Sequence, residues 1–212
     1  TLRIADFDAI DLSNLNRIRT SVTSIGIKKS VIVAREIAEI DPFLKVELFS
    51  DGLIKENMPS FFGENENELD VLIDECDSLD MKILMRQEAK EKQIPVLMDT
   101  SDRGLIDVER FDLEPNRPIL HGTVDHLDLS NISNLSNAEK VPYAMAMVNA
   151  EELSDRMKDS MSKVGKSLLT WPQLASSVVL GGGVIADIYR RICLNQIKES
   201  GRYYVDLDKI FK

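Results

Sequence analysis

The chain has 212 residues, a formal net charge of −10, and 43% hydrophobic against 29% charged residues. That length allows one domain with a sizeable buried core, and the balance excludes wholesale disorder and a fibrous repeat. The acidic charge argues against a nucleic-acid or anionic-membrane surface. Two cysteines rule out a disulfide framework and a four-cysteine zinc site, and no apolar run approaches the roughly 20 residues of a membrane span.

Residues 2–5 read as a short strand ending in Asp6-Phe7-Asp8. A chain that opens on Thr1 and enters a strand at once reads as a fragment whose preceding segment is missing; no signal-peptide pattern opens it. Residues 28–40 carry Val31, Ala34, Ile37, Ala38 and Ile40 at helical spacing, stopped by Asp41-Pro42. Residues 44–49 alternate as a strand, 69–73 form a second apolar run, 79–92 repeat the helical period, and 94–98 are strand-like. Strands separated by helices of this length predict a parallel α/β sheet. Residues 104–111 and 118–122 read as further short strands, 123–141 as a long polar crossover, 151–164 as a polar-faced helix and 203–207 as a terminal strand.

Residues 181–186, Gly-Gly-Gly-Val-Ile-Ala, fit G-x-G-x-x-A, and Asp206 follows at about the interval of a ribose-binding acid. Alone, this predicts an NAD-binding turn and an oxidoreductase. Against it, Leu174, Val178, Gly181, Ile185, Ile188 and Ile192 form a single helical stripe through the glycines, with Pro172 suited to the first turn. Three glycines cost a helix roughly 2–3 kcal/mol relative to alanine, so the preferred reading, one helix over about 172–199, requires close packing against neighbouring backbone.

The N-terminal region carries the stronger pattern: Asp6-Phe7-Asp8, then Ser13-Asn14-Leu15-Asn16-Arg17, then Gly26-Ile27-Lys28-Lys29 opening a helix. Farther on, an apolar strand ends in Asp74-Glu75-Cys76-Asp77, and Ile94-Pro95-Val96 opens the next. This ordered set resembles the ThiF/MoeB family, bacterial relatives of ubiquitin-activating enzymes, over residues 1 to about 111. The resemblance implies a Rossmann-like, doubly wound, mainly parallel sheet whose first strand, glycine loop and helix are missing here. It implies ATP and magnesium as cofactors, and adenylation of a carboxylate on a small protein or peptide. Asp6 would hold the ribose, with Asp8 and Asn14 beside the nucleotide; Arg17 would offer a planar fork to phosphate and Lys29 a point charge. Asp77 would be the magnesium acid. Arg17, Lys29 and Asp77 are the expected catalytic set, and Asp77 is expected to share one cleft with the others.

Ser78 and Lys82 depart from the family's usual Asn and Arg, and the paired Cys-x-x-Cys sites of many relatives are missing. Cys76 and Cys193 read as core residues, not nucleophiles. His121 and His126 lack a standard metal-ligand spacing; Met145, Met147, Met157 and Met161 read as helix packing, and Arg190-Arg191 as a solvated helix face. The segment 171–176 is similar to ThiF-like domains fused to nitroreductase-like ones. The expected organisation is a partial nucleotide-binding core at 1–111, a crossover at 112–170, and a packing helix with terminal strand at 171–212. A cytoplasmic homodimer or fused domain is expected, without nucleic-acid or membrane partners. A non-catalytic half of a heterodimer or fusion is the alternative, beside the NAD reading.

Overall fold

The structure, a computed structural model, describes residues 1–129, 132–163, 166–168 and 172–211. They form two compact units, 1–68 and 69–212.

In the first unit, β1 (Leu2–Ala5) lies parallel to β2 (Val46–Phe49), with Leu2 opposite Val46 and Ala5 opposite Phe49. Parallel pairing needs a crossover, and α1 (Lys29–Ile40) supplies it, burying Ile32. The helix ends at Asp41, as the Asp-Pro pair predicts. Arg3 on β1 has only 3% of its side chain exposed and donates to the Glu47 carboxylate at 2.8 Å and to the carbonyls of Phe61 (2.9 Å) and Asn67 (2.8 Å). One arginine therefore ties both strands to α2 (Met58–Phe62), whose Phe61 packs edge-on against Phe49 at 5.2 Å.

The second unit is built on a four-stranded sheet in the order β3 (Leu72–Ile73), β4 (Val96–Thr100), β5 (Leu105–Glu109), β6 (Gly201–Tyr204). β3 and β4 are parallel, joined through α3 (Leu79–Glu91); β5 and β6 then run antiparallel. The expected parallel pattern thus holds for the first four strands and gives way at the β4–β5 turn, which is too short for a helical crossover. On one face Leu97, Ile106 and Val108 pack under Ile185 and Ile192 of α6 (Ala175–Cys193). Burying each such side chain contributes about 1.5–3 kcal/mol.

The crossover region departs most from expectation. Residues 118–122 are not a strand: Ile119–Gly122 form a tight 3-10 turn in which Leu120 (φ 50°), His121 (φ 56°) and Gly122 (φ 82°) are all left-handed. Within the expected loop 123–141, α4 already begins, spanning Asn137–Val148 with Ser136 and Glu139 forming a capping box. The polar helix at 151–164 is α5, Asp155–Lys163, its expected last residue lying outside the described set. β6 stops at Tyr204 because Asp206 caps a last turn of helix, α7 (Leu207–Ile210), and holds Arg103 at 2.8 Å.

The glycines of 181–186 lie inside α6, so no strand–turn–helix junction exists there and the dinucleotide-turn reading fails. The helix starts at Ala175, leaving Pro172 ahead of it and not in the first turn; Trp171 lies outside the described residues. The close packing is also different from expectation. A Cβ on Gly181 would sit 1.9 Å from Oδ2 of Asp99, a side chain and not backbone, whereas Gly182 and Gly183 have nothing within 4 Å. Gly182→Ala is therefore expected to stabilise the fold by about 0.5–1 kcal/mol through helix propensity, and Gly181→Ala to destabilise it by about 1–3 kcal/mol through overpacking. Urea unfolding of the two variants checks this; equal effects would refute it. Cys193, expected in the core, is exposed because it falls beside the stripe that buries Ile192.

Candidate functional site

The loop between β1 and α1 is held by its own backbone. Ile10 N–H donates to Ile27 at 2.8 Å, Gly26 N–H to Ile10 at 2.8 Å, and Lys29 N–H to Asp8 at 2.9 Å. These bonds bring the start of α1 back beside the strand end, and Lys29 Nζ reaches the Asp8 carboxylate at 2.7 Å. Asp6, at the carboxyl end of β1, accepts from the Asp8 amide at 2.8 Å. Lys28 donates to the carbonyls of Phe7 (2.8 Å) and Ser50 (3.0 Å), so of the adjacent lysines it is Lys29 that meets the acidic strand end.

Asp11 caps a 3-10 turn, Leu12–Asn14, accepting from Ser13 N–H at 2.8 Å, while Asn14 Oδ1 accepts from Asp11 N–H at 2.9 Å. Asn14 is buried, so its carbonyl oxygen shapes the turn. Arg17 Nη1 donates to the Ser13 carbonyl at 2.9 Å and to Asn16 Oδ1 at 3.0 Å. The first unit therefore gathers Asp6, Asp8 and Lys29 around one strand end, with Asn14 and Arg17 on the following turn.

Asp77 lies in the second unit, exposed in the turn after β3 and directly before Ser78, whose hydroxyl caps α3. It opens on a cavity of about 380 Å³ lined also by Leu79, Asp80, Lys140, Val141 and Ala144. Lys140 of α4 pairs with Asp80 at 2.8 Å across it. Asp6 thus follows the carboxyl end of β1 in the first unit, and Asp77 follows that of β3 in the second.

Sequence reading missed the charges beneath this turn. Arg86 and Asp74, both buried, are ion-paired, and Arg86 Nε also meets Glu109 at 2.6 Å. Burial alone would raise Asp74, but the Arg86 and Lys82 charges outweigh it and hold the carboxyl below the usual range. For Glu109 burial wins and the carboxyl is raised. Burial also pushes the Cys76 thiol up to about 12, which leaves it a poor nucleophile. His121 Nδ1 accepts from Arg117 at 2.9 Å, and its Nε2 donates to Asp107 at 2.8 Å; no group of three metal-ligating side chains exists among the described residues.

Asp99, near the end of β4, is raised to about 6 by burial, and its Oδ1 has no hydrogen-bond partner. Glu75 accepts from the Asp99 amide at 3.1 Å and leaves the carboxyl itself uncompensated. Because the folded value lies above the unfolded one, protonated Asp99 stabilises the fold below about pH 4, and that contribution is lost as pH rises through about 6. Asp99→Asn is therefore expected to raise Tm at pH 8 and to lose that gain by pH 4.5; a gain independent of pH would refute it.

The architecture is a mixed α/β fold of Rossmann type, with parallel strands joined through helices. A sequence model of the ThiF family matches residues 1–121, and the chain belongs to that family. It is 48% identical over 207 residues to the uncharacterized protein MT1398 of Mycobacterium tuberculosis (strain CDC 1551 / Oshkosh), covering 98% of this chain and 28% of that protein. The chain therefore spans little more than a quarter of that relative's length. The tRNA threonylcarbamoyladenosine dehydratase of Bacillus subtilis (strain 168) is 21% identical over 206 residues, covering 92% of this chain and 80% of that protein. Among solved structures, PaaA superposes with a TM-score of 0.55 at 16% identity, over 94% of this chain and 62% of that one, a likeness of fold. No helix among the described residues is long and apolar enough to cross a membrane.

Proposed function

We propose that this chain contributes to an adenylating centre that activates a carboxylate, on a small protein or peptide, at the expense of ATP. The observation that carries the reading is the Asp8–Lys29 ion pair of 2.7 Å, which sets the cation of the helix start against the Asp6–Asp8 strand end. In the reaction a carboxylate oxygen bonds to the α-phosphorus while the bond to the bridging oxygen of pyrophosphate breaks, giving acyl-adenylate and pyrophosphate. The nucleophile belongs to the substrate, so the protein's task is positioning and charge neutralisation. Asp6 would accept from ribose hydroxyls. Arg17 would turn its fork from the Ser13 carbonyl to phosphate oxygens, and Lys29 would exchange Asp8 for phosphate. Asp77, a single exposed carboxylate beside a helix start, suits magnesium, which takes one or two protein carboxylates and completes its shell with phosphate and water. That ion would supply charge neutralisation on the phosphate oxygens. A thioester step through Cys76 is disfavoured by its raised thiol.

The test is calorimetric titration of the full-length natural protein with ATP and magnesium, with NAD as the contrast. Saturable ATP binding that weakens in Asp6→Ala, with no NAD binding, is the expected result. NAD binding without ATP binding, or ATP affinity unchanged in Asp6→Ala, would overturn the assignment.

A further inference from the structure

The turn that presents Asp77 and the turn from which the crossover departs are joined by one buried chain of bonds within the second unit. At one end the Cys76 amide donates to Asp74 Oδ1 at 3.1 Å, and Lys82 Nζ reaches the same oxygen at 3.1 Å. The other Asp74 oxygen is held by Arg86 Nη1. Arg86 Nε continues to Glu109 Oε2 at 2.6 Å, and Glu109 Oε1 accepts from the Leu120 amide at 2.6 Å. Asp74, Arg86 and Glu109 are at most 1% exposed, so none of these bonds is exchanged cheaply for water.

The Leu120 end is strained. Leu120 and His121 are both left-handed non-glycine residues, each costing about 1–3 kcal/mol, and such conformers persist only where surroundings over-determine them. His121 is the second fastening. Arg117 directs Nη2 (2.9 Å) and Nε (3.2 Å) at Nδ1, which must therefore accept; Nε2 carries the proton and donates to Asp107 at 2.8 Å. Asp107 is in turn held by Arg202 at 2.7 Å. From this fastened base the crossover runs on to α4, whose Lys140 lines the cavity on which Asp77 opens.

We propose that Arg86 and Glu109 are positioning residues that couple the Asp77 turn to the base of the crossover, so that occupancy at Asp77 tightens the Leu120–His121 turn and sets the α4 wall of the cavity. The coupling rests on the adenylation reading for the identity of the occupant, magnesium with ATP. Its carrier is the Arg86 fork: one guanidinium makes both carboxylate contacts, and a displacement of Asp74 is passed to Glu109 and to the Leu120 amide without slack. A lysine keeps the charge but can satisfy only one carboxylate with that geometry.

The experiment is hydrogen–deuterium exchange of the full-length protein with and without magnesium and ATP, read at residues 74–79 and 118–123. In the wild type the nucleotide is expected to slow exchange about tenfold at both segments. In Arg86→Lys and Glu109→Gln the slowing at 118–123 is lost, and the magnesium concentration for half-maximal ATP binding rises about tenfold. Glu109→Gln keeps an acceptor for the Leu120 amide and guards against a misfolded lysine variant. ATP binding in the wild type with no protection at 118–123, or protection retained in both variants, overturns the coupling alone. A wild type that binds no magnesium–ATP overturns the adenylation reading and the coupling with it.

Discussion

Asp77→Ala in the full-length protein is expected to cut ATP–pyrophosphate exchange, measured with its acceptor, by about a hundredfold or more, the scale on which one transition-state contact acts. Asp77 is exposed and precedes the Ser78 cap, so its removal leaves the fold of α3 intact. The loss should therefore appear without a fall in Tm, and Asp77→Asn should require more magnesium than wild type. Arg17→Ala is expected to lose exchange on the same scale, and the bonds Arg17 makes to the Ser13 carbonyl and Asn16 are exposed and cheap to lose. Activity near wild type in both variants would refute the proposed roles.

The second large effect is on stability. Arg86→Met is expected to lower the unfolding free energy by about 3–5 kcal/mol, because it strands two buried carboxylates. Both Asp74 and Glu109 would then have to protonate or draw in water, and the loss should be greatest at neutral pH and shrink as acid neutralises them. The sign differs between the two. Asp74 is depressed in the fold, so its contribution is present above the usual carboxylate range and is lost as pH falls through the folded value; Glu109 is raised, so its ionised form already works against folding at neutral pH. Urea unfolding of wild type and Arg86→Met at pH 5 and pH 7.5 measures the difference. A loss below about 1 kcal/mol would show that the pair is no better than a solvated one.

Much of the scaffold was readable because it is written in periods of two and of about three and a half residues. The α1 and α3 stripes, the stop at Asp41 and the unbroken run of α6 through three glycines all follow from spacing. The motif residues were readable as an ordered set, though not the ion pair between Lys29 and Asp8. What escaped is set by tertiary partners. In residues 105–109 the alternation Ile-Asp-Val-Glu looks like a half-solvated strand, yet Asp107 and Glu109 are buried under arginine and histidine. Arg86 reads as one more surface charge on a helix until the carboxylates beneath it are known. Residues 118–122 are apolar enough to suggest a strand, and the bonds from Leu120 to Glu109 and from His121 to Asp107 and Arg117 hold their left-handed path.

The buried trio of Asp74, Arg86 and Glu109 also constrains how this sequence can drift. Replacing Arg86 alone strands two carboxylates, replacing Asp74 alone strands the Lys82 charge, and replacing Glu109 alone leaves Arg86 Nε and the Leu120 amide without their acceptor, whereas replacing all three by well-packed apolar residues can be neutral or even stabilising. The neutral route from one arrangement to the other therefore passes through states that a marginally stable domain does not survive. These positions should change together or not at all, so related chains should fall into two sets, with the full trio or with a wholly apolar replacement, and few between them.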